Sequence, residues 1–300
     1  MHRSLDRTHA RRGFVGISDI FDPSDELRAA ERALGAHSVH TSSPHRRAFT
    51  LVELLVVVAI LAIVVALSFP ALALLQQRAR VVHCSANLRS LQLASLAYAQ
   101  DNAGWLIDAR LPHGGHDQGS DESFVDVLAR RNYCDTSLIR SPLDTSPHWA
   151  IEQGGEGIPV SGANGALRRT SYGLNNHLAR EFSPWAAIDP SLATDRLSKV
   201  ADHAGTVQLL LMAETGPYAA ADHPHVEGWG ASPQAPTIAS TEVSVAAVSG
   251  GRASPESQSN WSFLDGHVET ALFGAIYVDA ERNRLDPSVS ALFLRSVGEP

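Results

Sequence analysis

Arg46, Arg47, Phe49 and Glu53 fall within eight residues, directly ahead of 22 residues, Leu54 to Leu75, that carry no charge. A stretch that long and apolar can cross a bilayer as a helix. A carboxylate at its edge is disfavoured by a few kcal/mol on insertion scales, so such an acid points to function. A cut between Ala48 and Phe49 would supply a reason for it. Phe49 would then carry a new α-amino group, largely protonated near neutral pH because its reference pKa is about 7.7–8. Glu53 lies four residues on, on the same helix face, and would be its counter-charge. The partner amine could belong to the same chain or to a neighbouring helix in a bundle, where a shared charge pair also fixes register. The alternative is an interfacial acid solvated by lipid headgroups.

The other reactive side chains suggest less. His113-Gly114-Gly115-His116-Asp117 and His223-Pro224-His225 have metal-like spacing, but both lie in Gly- or Pro-rich stretches with no regular element to fix their geometry. There is no Gly-rich phosphate loop and no Gly-x-Ser-x-Gly elbow. The sequence is therefore not expected to encode an enzyme or a catalytic zinc site. Two cysteines, Cys84 and Cys134, cannot supply a structural zinc site alone and are not a disulfide framework. In an exported domain one bridge is allowed. Cys84 can equally be a small buried hydrophobe. A formal charge of −8 is no footprint for nucleic acid.

Residues 1–48 are polar and mixed in charge, with no hydrophobic core of the kind an ordinary secretory signal has. They read as a leader, with a short helix predicted over Pro23–Leu34 behind Ser24 as N-cap. Arg46 and Arg47 favour a cytoplasmic N-terminus; Arg78 and Arg80, beyond the apolar run, oppose it. Residues 49–75 form the apolar part of a helix in which Pro70 should cause a kink or local melting. The helix continues over residues 76–104 as a two-faced segment. Val81, Cys84, Leu88, Leu91, Ser95 and Tyr98 recur at spacings of three and four on one face, while Arg80, Asn87, Arg89, Gln92 and Gln100 fall mostly off it. Asp101 to Gly104 supply the stop, with Gly104 suited to a left-handed cap. One helix is thus expected from about Phe49 to Asn102.

Residues 105–300 read as a β-rich globular domain. Phe124–Arg131 predicts a short helix. Gly157–Asn164 and Gly228–Pro236 predict loops. Strands are predicted over Thr206–Ala213, Thr241–Val248, Asn260–Leu264 and Val268–Phe273, with Asp265-Gly266 as a hairpin turn. The fold class is α+β: a long N-terminal helix packed on a small antiparallel sheet.

The segment RRAFTLVELLVVVAILAIVVALSFPALALLQQRAR closely resembles the N-terminus of type IV prepilins and type II secretion pseudopilins. Arg46 and Arg47 match the basic leader end, Phe49, Thr50 and Glu53 the first, second and fifth mature positions, and Pro70 the proline two-thirds along. The family usually has glycine before the cut, and this chain has Ala48. Family leaders are usually shorter than 48 residues; a start near Val39 would give a conventional length. The resemblance implies that an inner-membrane prepilin peptidase removes residues 1–48 and that Phe49 is N-methylated. The product would sit in the inner membrane by a single span, N-terminus cytoplasmic and C-terminal domain periplasmic. It would then join other pilin-like subunits in a pseudopilus or pilus filament through its N-terminal helix. The alternative is a signal-anchored exported domain, hydrolytic or ligand-binding, that never polymerises.

Residues 83–106, 170–178, 211–215 and 260–270 further resemble a planctomycete-type pseudopilin-like subgroup. That subgroup's histidine ten residues before Asp265 is Pro255 here. Its Cys-Pro-x-Asp motif appears as Ser141-Pro142-Leu143-Asp144. If the subgroup's cysteine pairs with the one at Cys84, Cys134 would be its shifted substitute. No cofactor is expected; major pseudopilins of the secretion type can bind calcium through a loop near the C-terminus, and that resemblance leaves calcium open and unassigned here, since Asp265, Glu269 and Asp279 are loop acids in no recognisable ligand spacing.

Overall fold

The computed structural model describes residues 49–112, 122–186 and 188–297. The predicted Pro23–Leu34 helix and the His113/His116/Asp117 group lie outside them. The chain divides into two units, residues 1–62 and 63–300. Helix α1 (Leu51–Asp101) begins in the first and ends in the second.

In the first unit the described residues are Phe49 to Ala62. Thr50 caps the helix, and the apolar side chains from Leu51 to Leu61 are exposed. In the second unit helical backbone runs through Pro70 without interruption, so the melting expected there does not occur. Ser68, the one hydroxyl in the uncharged stretch, donates to Val64 O at 2.7 Å and so satisfies itself within the helix, as a segment without water around it requires.

The two-faced part of α1 buries Cys84, Leu88, Leu91 and Ala94, one side chain per turn. They meet Tyr172, Leu174, Leu209 and Leu211 of a four-stranded antiparallel sheet. Its order is β1 (Tyr172–Leu174), β2 (Val207–Leu211), β3 (Gln258–Phe263), β4 (Val268–Leu272). Full burial of each leucine contributes about 1.5–3 kcal/mol. The helix stops through two successive left-handed residues, Ala103 (φ 54°) and Gly104 (φ 80°), and Gly104 N closes a bond to Ala99 O at 2.7 Å. Sequence alone assigned that role to Gly104; Ala103 shares it.

Asn87 and Gln92, expected off the packed face, are buried on it. Gln92 Nε2 donates to Gln208 Oε1 (2.6 Å), Gln208 Nε2 to Ser95 Oγ (3.0 Å), and Ser262 Oγ to Gln92 Oε1 (3.0 Å). This buried ladder joins the helix to β2 and β3 and fixes its rotation on the sheet. A bulge makes it possible. Val207 pairs with Phe263 and Leu209 with Ser262, so two β2 residues span one step of β3. Gln208 and Leu209 therefore both face the helix, and the alternation resumes one residue later.

The opposite sheet face carries Leu210, Met212, Trp261 and Phe263 against Trp229, Phe273, Tyr277 and Leu285. On β1 a Cβ at Gly173 would lie 2.2 Å from Met212 Sδ, so that position admits no side chain. The β3–β4 hairpin turns where expected, through Leu264-Asp265-Gly266, with Gly266 at φ 104°. The predicted strand over Thr241–Val248 does not form. Val243 makes a single bridge to Met212 before the chain turns, and Val243 and Val245 are buried as core side chains. Part of the predicted loop over Gly228–Pro236 is helical, because α3 (Ala235–Ala239) starts inside it. The short helix predicted at Phe124 forms as α2 (Phe124–Arg130). Ser123 and Asp126 make a reciprocal capping box.

Beside the sheet, Arg168 Nε meets Asp144 Oδ2 at 2.7 Å with both side chains fully buried. Arg168 also donates to the carbonyls of Met212, Ala213 and Ala219. Burial by itself would push the Asp144 carboxyl up. The Arg168 guanidinium, the Ser171 hydroxyl and the Ser146 amide overcome that and hold it below the ordinary aspartate value. A depressed carboxyl stabilises the fold fully above its unfolded pKa, near 4, and less as the pH falls through its folded value. Asp144→Asn is expected to cost about 3 kcal/mol at neutral pH. It should also flatten the acid limb of denaturation midpoint against pH.

Candidate functional site

The first turn of α1 is built by two residues. Glu53 N donates to Thr50 Oγ1 at 3.2 Å. In return Glu53 Oε2 accepts from Thr50 N at 2.8 Å and from Thr50 Oγ1 at 3.0 Å. This is a capping box, Thr50-Leu51-Val52-Glu53, which satisfies donors that a helix start otherwise leaves unpaired. The Thr-x-x-Glu spacing that signals it is legible in the sequence. The bonds fold the carboxylate back over Thr50, the residue that follows Phe49. An α-amino group created at Phe49 would therefore meet a carboxylate already positioned at the helix start. The acid is also at the favourable end of the helix dipole.

Behind this cap every large apolar side chain from Leu51 to Leu75 is at least 46% exposed. So wide an uninterrupted apolar surface belongs in lipid or against other helices. The helix is long and apolar enough to cross a membrane.

The remaining predicted site residues are not brought together. Cys84 and Cys134 are both free. Cys84 is buried beside Tyr172, Ser141 and Asn260, and burial pushes its thiol up. Cys134 follows α2, half-buried at the edge of the same core, and its thiol is pushed up to about 11, first by burial and then by Asp135 and Asp126. The bridge therefore does not form in this structure, because Cys84 faces Ser141. That contact yields a prediction. Ser141→Cys should oxidise with Cys84 and raise stability by about 2–4 kcal/mol. Non-reducing mass mapping should find the 84–141 peptide pair and no 84–134 pair.

Among the described residues no group of three or more His, Cys, Asp and Glu is arranged to hold a metal ion. His223 is buried, stacked on Phe182 with centroids 3.9 Å apart, and His225 Nδ1 lies 2.9 Å from Glu227 Oε1. The calcium candidates form no cluster, and each faces a basic side chain of its own. Asp265 faces His267 (2.6 Å), Glu269 faces Arg284 (3.1 Å) and Asp279 faces Arg282 (2.5 Å).

Capped by Thr50 and Glu53 and uncharged for 22 residues behind them, the helix is of the class whose length and apolar composition suit a membrane anchor. Residues 43–69 match the family model described as the prokaryotic N-terminal methylation motif. The segment is thus a prepilin-type methylation motif, consistent with the type IV prepilin and pseudopilin-like family, and it implies processing by a prepilin peptidase and association with pilin-like subunits. With the apolar helix it is consistent with a membrane-anchored single-pass protein. No curated protein and no solved structure matches the chain.

Proposed function

We propose that this chain is a structural subunit of a type II secretion pseudopilus or a type IV pilus-like filament. Prepilin peptidase cuts between Ala48 and Phe49 and methylates the new Phe49 nitrogen. The product waits in the inner membrane, N-terminus cytoplasmic and C-terminal domain periplasmic. The helix then leaves lipid for the filament core, where Glu53 neutralises the Phe49 amine of its own or a neighbouring chain. Its role is assembly rather than catalysis.

The observation that carries this reading is the methylation motif over residues 43–69, set on a helix whose apolar side chains are exposed on every face. Such a surface is satisfied equally by lipid tails and by packed helices, so transfer between them needs little free energy. The testing experiment is shearing and sedimentation of surface or overexpressed filaments. A chain beginning at Phe49 should sediment with the filament fraction. Retention of the whole protein in the membrane fraction while filaments form would refute assembly.

A further inference from the structure

A cavity of about 470 Å3 opens in the second unit, away from α1. Its walls include Trp185, Ile188 and Tyr277, with Trp185 38% and Ile188 73% exposed. Its charged lining groups are all acidic, Glu227, Glu281 and Asp286; among the described residues no lysine or arginine lines it. His177 also lines it, and is 5% exposed. The Nδ1 atom of His177 is buried without a hydrogen-bond partner, 3.9 Å from Asp286 Oδ2. The other carboxylate oxygen of Asp286 accepts from Ser288 N (2.8 Å) and Ser288 Oγ (2.7 Å), which fixes the group in place.

A buried polar atom without a partner is disfavoured by about 1–3 kcal/mol and calls for an explanation. Burial holds the His177 imidazole below its ordinary pKa against the pull of Asp286 and Glu227, which favours the uncharged ring; with its proton on Nε2, such a ring offers Nδ1 as an acceptor. In that form two acceptors stand 3.9 Å apart with no proton between them, an arrangement that suits one group carrying several N–H donors. A metal ion does not fit, since these residues form no ligand cluster. The volume is that of a small-molecule site, and apolar walls with a few convergent polar groups are its usual build. An aromatic rim adds attraction for a cation.

We infer that this cavity binds a small organic cation carried on an apolar body, its ammonium or amidinium donating to Asp286 and His177 and its hydrocarbon lying against Trp185 and Tyr277. The site is independent of the filament reading and would serve a polymerising or a non-polymerising chain alike. The test uses the full chain in non-ionic detergent and titrates 2-phenylethylammonium and its neutral isostere 2-phenylethanol by saturation-transfer NMR. The ammonium should bind saturably and at least about tenfold more tightly than the alcohol, as expected for hydrogen bonds to a charged group. Asp286→Asn should weaken it by about tenfold or more. Trp185→Ala, at an exposed side chain whose loss leaves the core intact, should weaken it severalfold while the melting curve is unchanged. Equal binding of the two isosteres would overturn the inference, as would ammonium affinity unaltered by Trp185→Ala, or displacement of the ammonium by an equal concentration of calcium.

Discussion

Glu53→Ala is expected to leave the chain anchored in the membrane and to reduce its incorporation into filaments by about a hundredfold or more, the scale of a charge left unpaired in an apolar setting. Two roles meet at this residue. In the helix start its carboxylate accepts from Thr50; in the mature chain, on the function proposed above, it would be the counter-charge of Phe49. Alanine removes both. Glu53→Gln separates them, because glutamine serves a capping box as well as glutamate does but carries no charge. The glutamine variant should therefore keep the helix start and the membrane anchor, be cut normally, and still fail to assemble. Quantitative blotting of sheared filament against membrane fractions measures this. Assembly of the glutamine variant at the parental level would assign Glu53 to capping alone.

Asp222→Ala should lower the stability of the globular part by about 4–5 kcal/mol, the largest loss expected from any single side chain there. Asp222 is fully buried, and its two carboxylate oxygens accept from the backbone amides of Arg110, Leu111 and Phe124 at 3.0–3.2 Å. Phe124 opens α2, so the carboxylate also sits at the positive end of that helix. Its own carbonyl takes the amide of Leu174 on β1. One residue thus ties the segment after α1, the start of α2 and the sheet edge together. Alanine would strand three amides out of water, and no neighbour replaces them. Chemical denaturation of the detergent-solubilised chain followed by tryptophan fluorescence reads the loss. A shift below 1 kcal/mol would show that water reaches those amides.

The parts that could be read from sequence are those whose signal is local. Twenty-two uncharged residues behind Thr50 and Glu53, and the three-four recurrence from Cys84 to Ser95, define α1 because a helix repeats its faces every 3.6 residues. Asp265-Gly266 between two apolar runs defines the hairpin because Gly266 supplies the positive φ. Three features were not legible, for one shared reason. Gln92 looks like a solvent-facing residue until Gln208 and Ser262, more than a hundred positions away, arrive to bond it. The bulge that turns Gln208 toward the helix depends on β3. Val243 and Val245 alternate as a strand would, yet the β2 edge beside them is mostly taken by β3, and their alternation reports burial rather than a ladder. The Thr50-Glu53 capping box is different. Its Thr-x-x-Glu spacing is local and so can be read in the sequence. At the candidate site itself, sequence marks Phe49, Thr50 and Glu53. The structure adds what Thr50 does there: it aims the Glu53 carboxylate.

The central claim is that Phe49 becomes the N-terminus and that Glu53 is its partner. Intact-mass and fragmentation analysis of the protein extracted from membranes tests it most directly. The account predicts a chain that starts at Phe49, lacks residues 1–48 and carries a single methyl group on the Phe49 nitrogen. An uncut chain, or one whose first residue lies elsewhere, would contradict it.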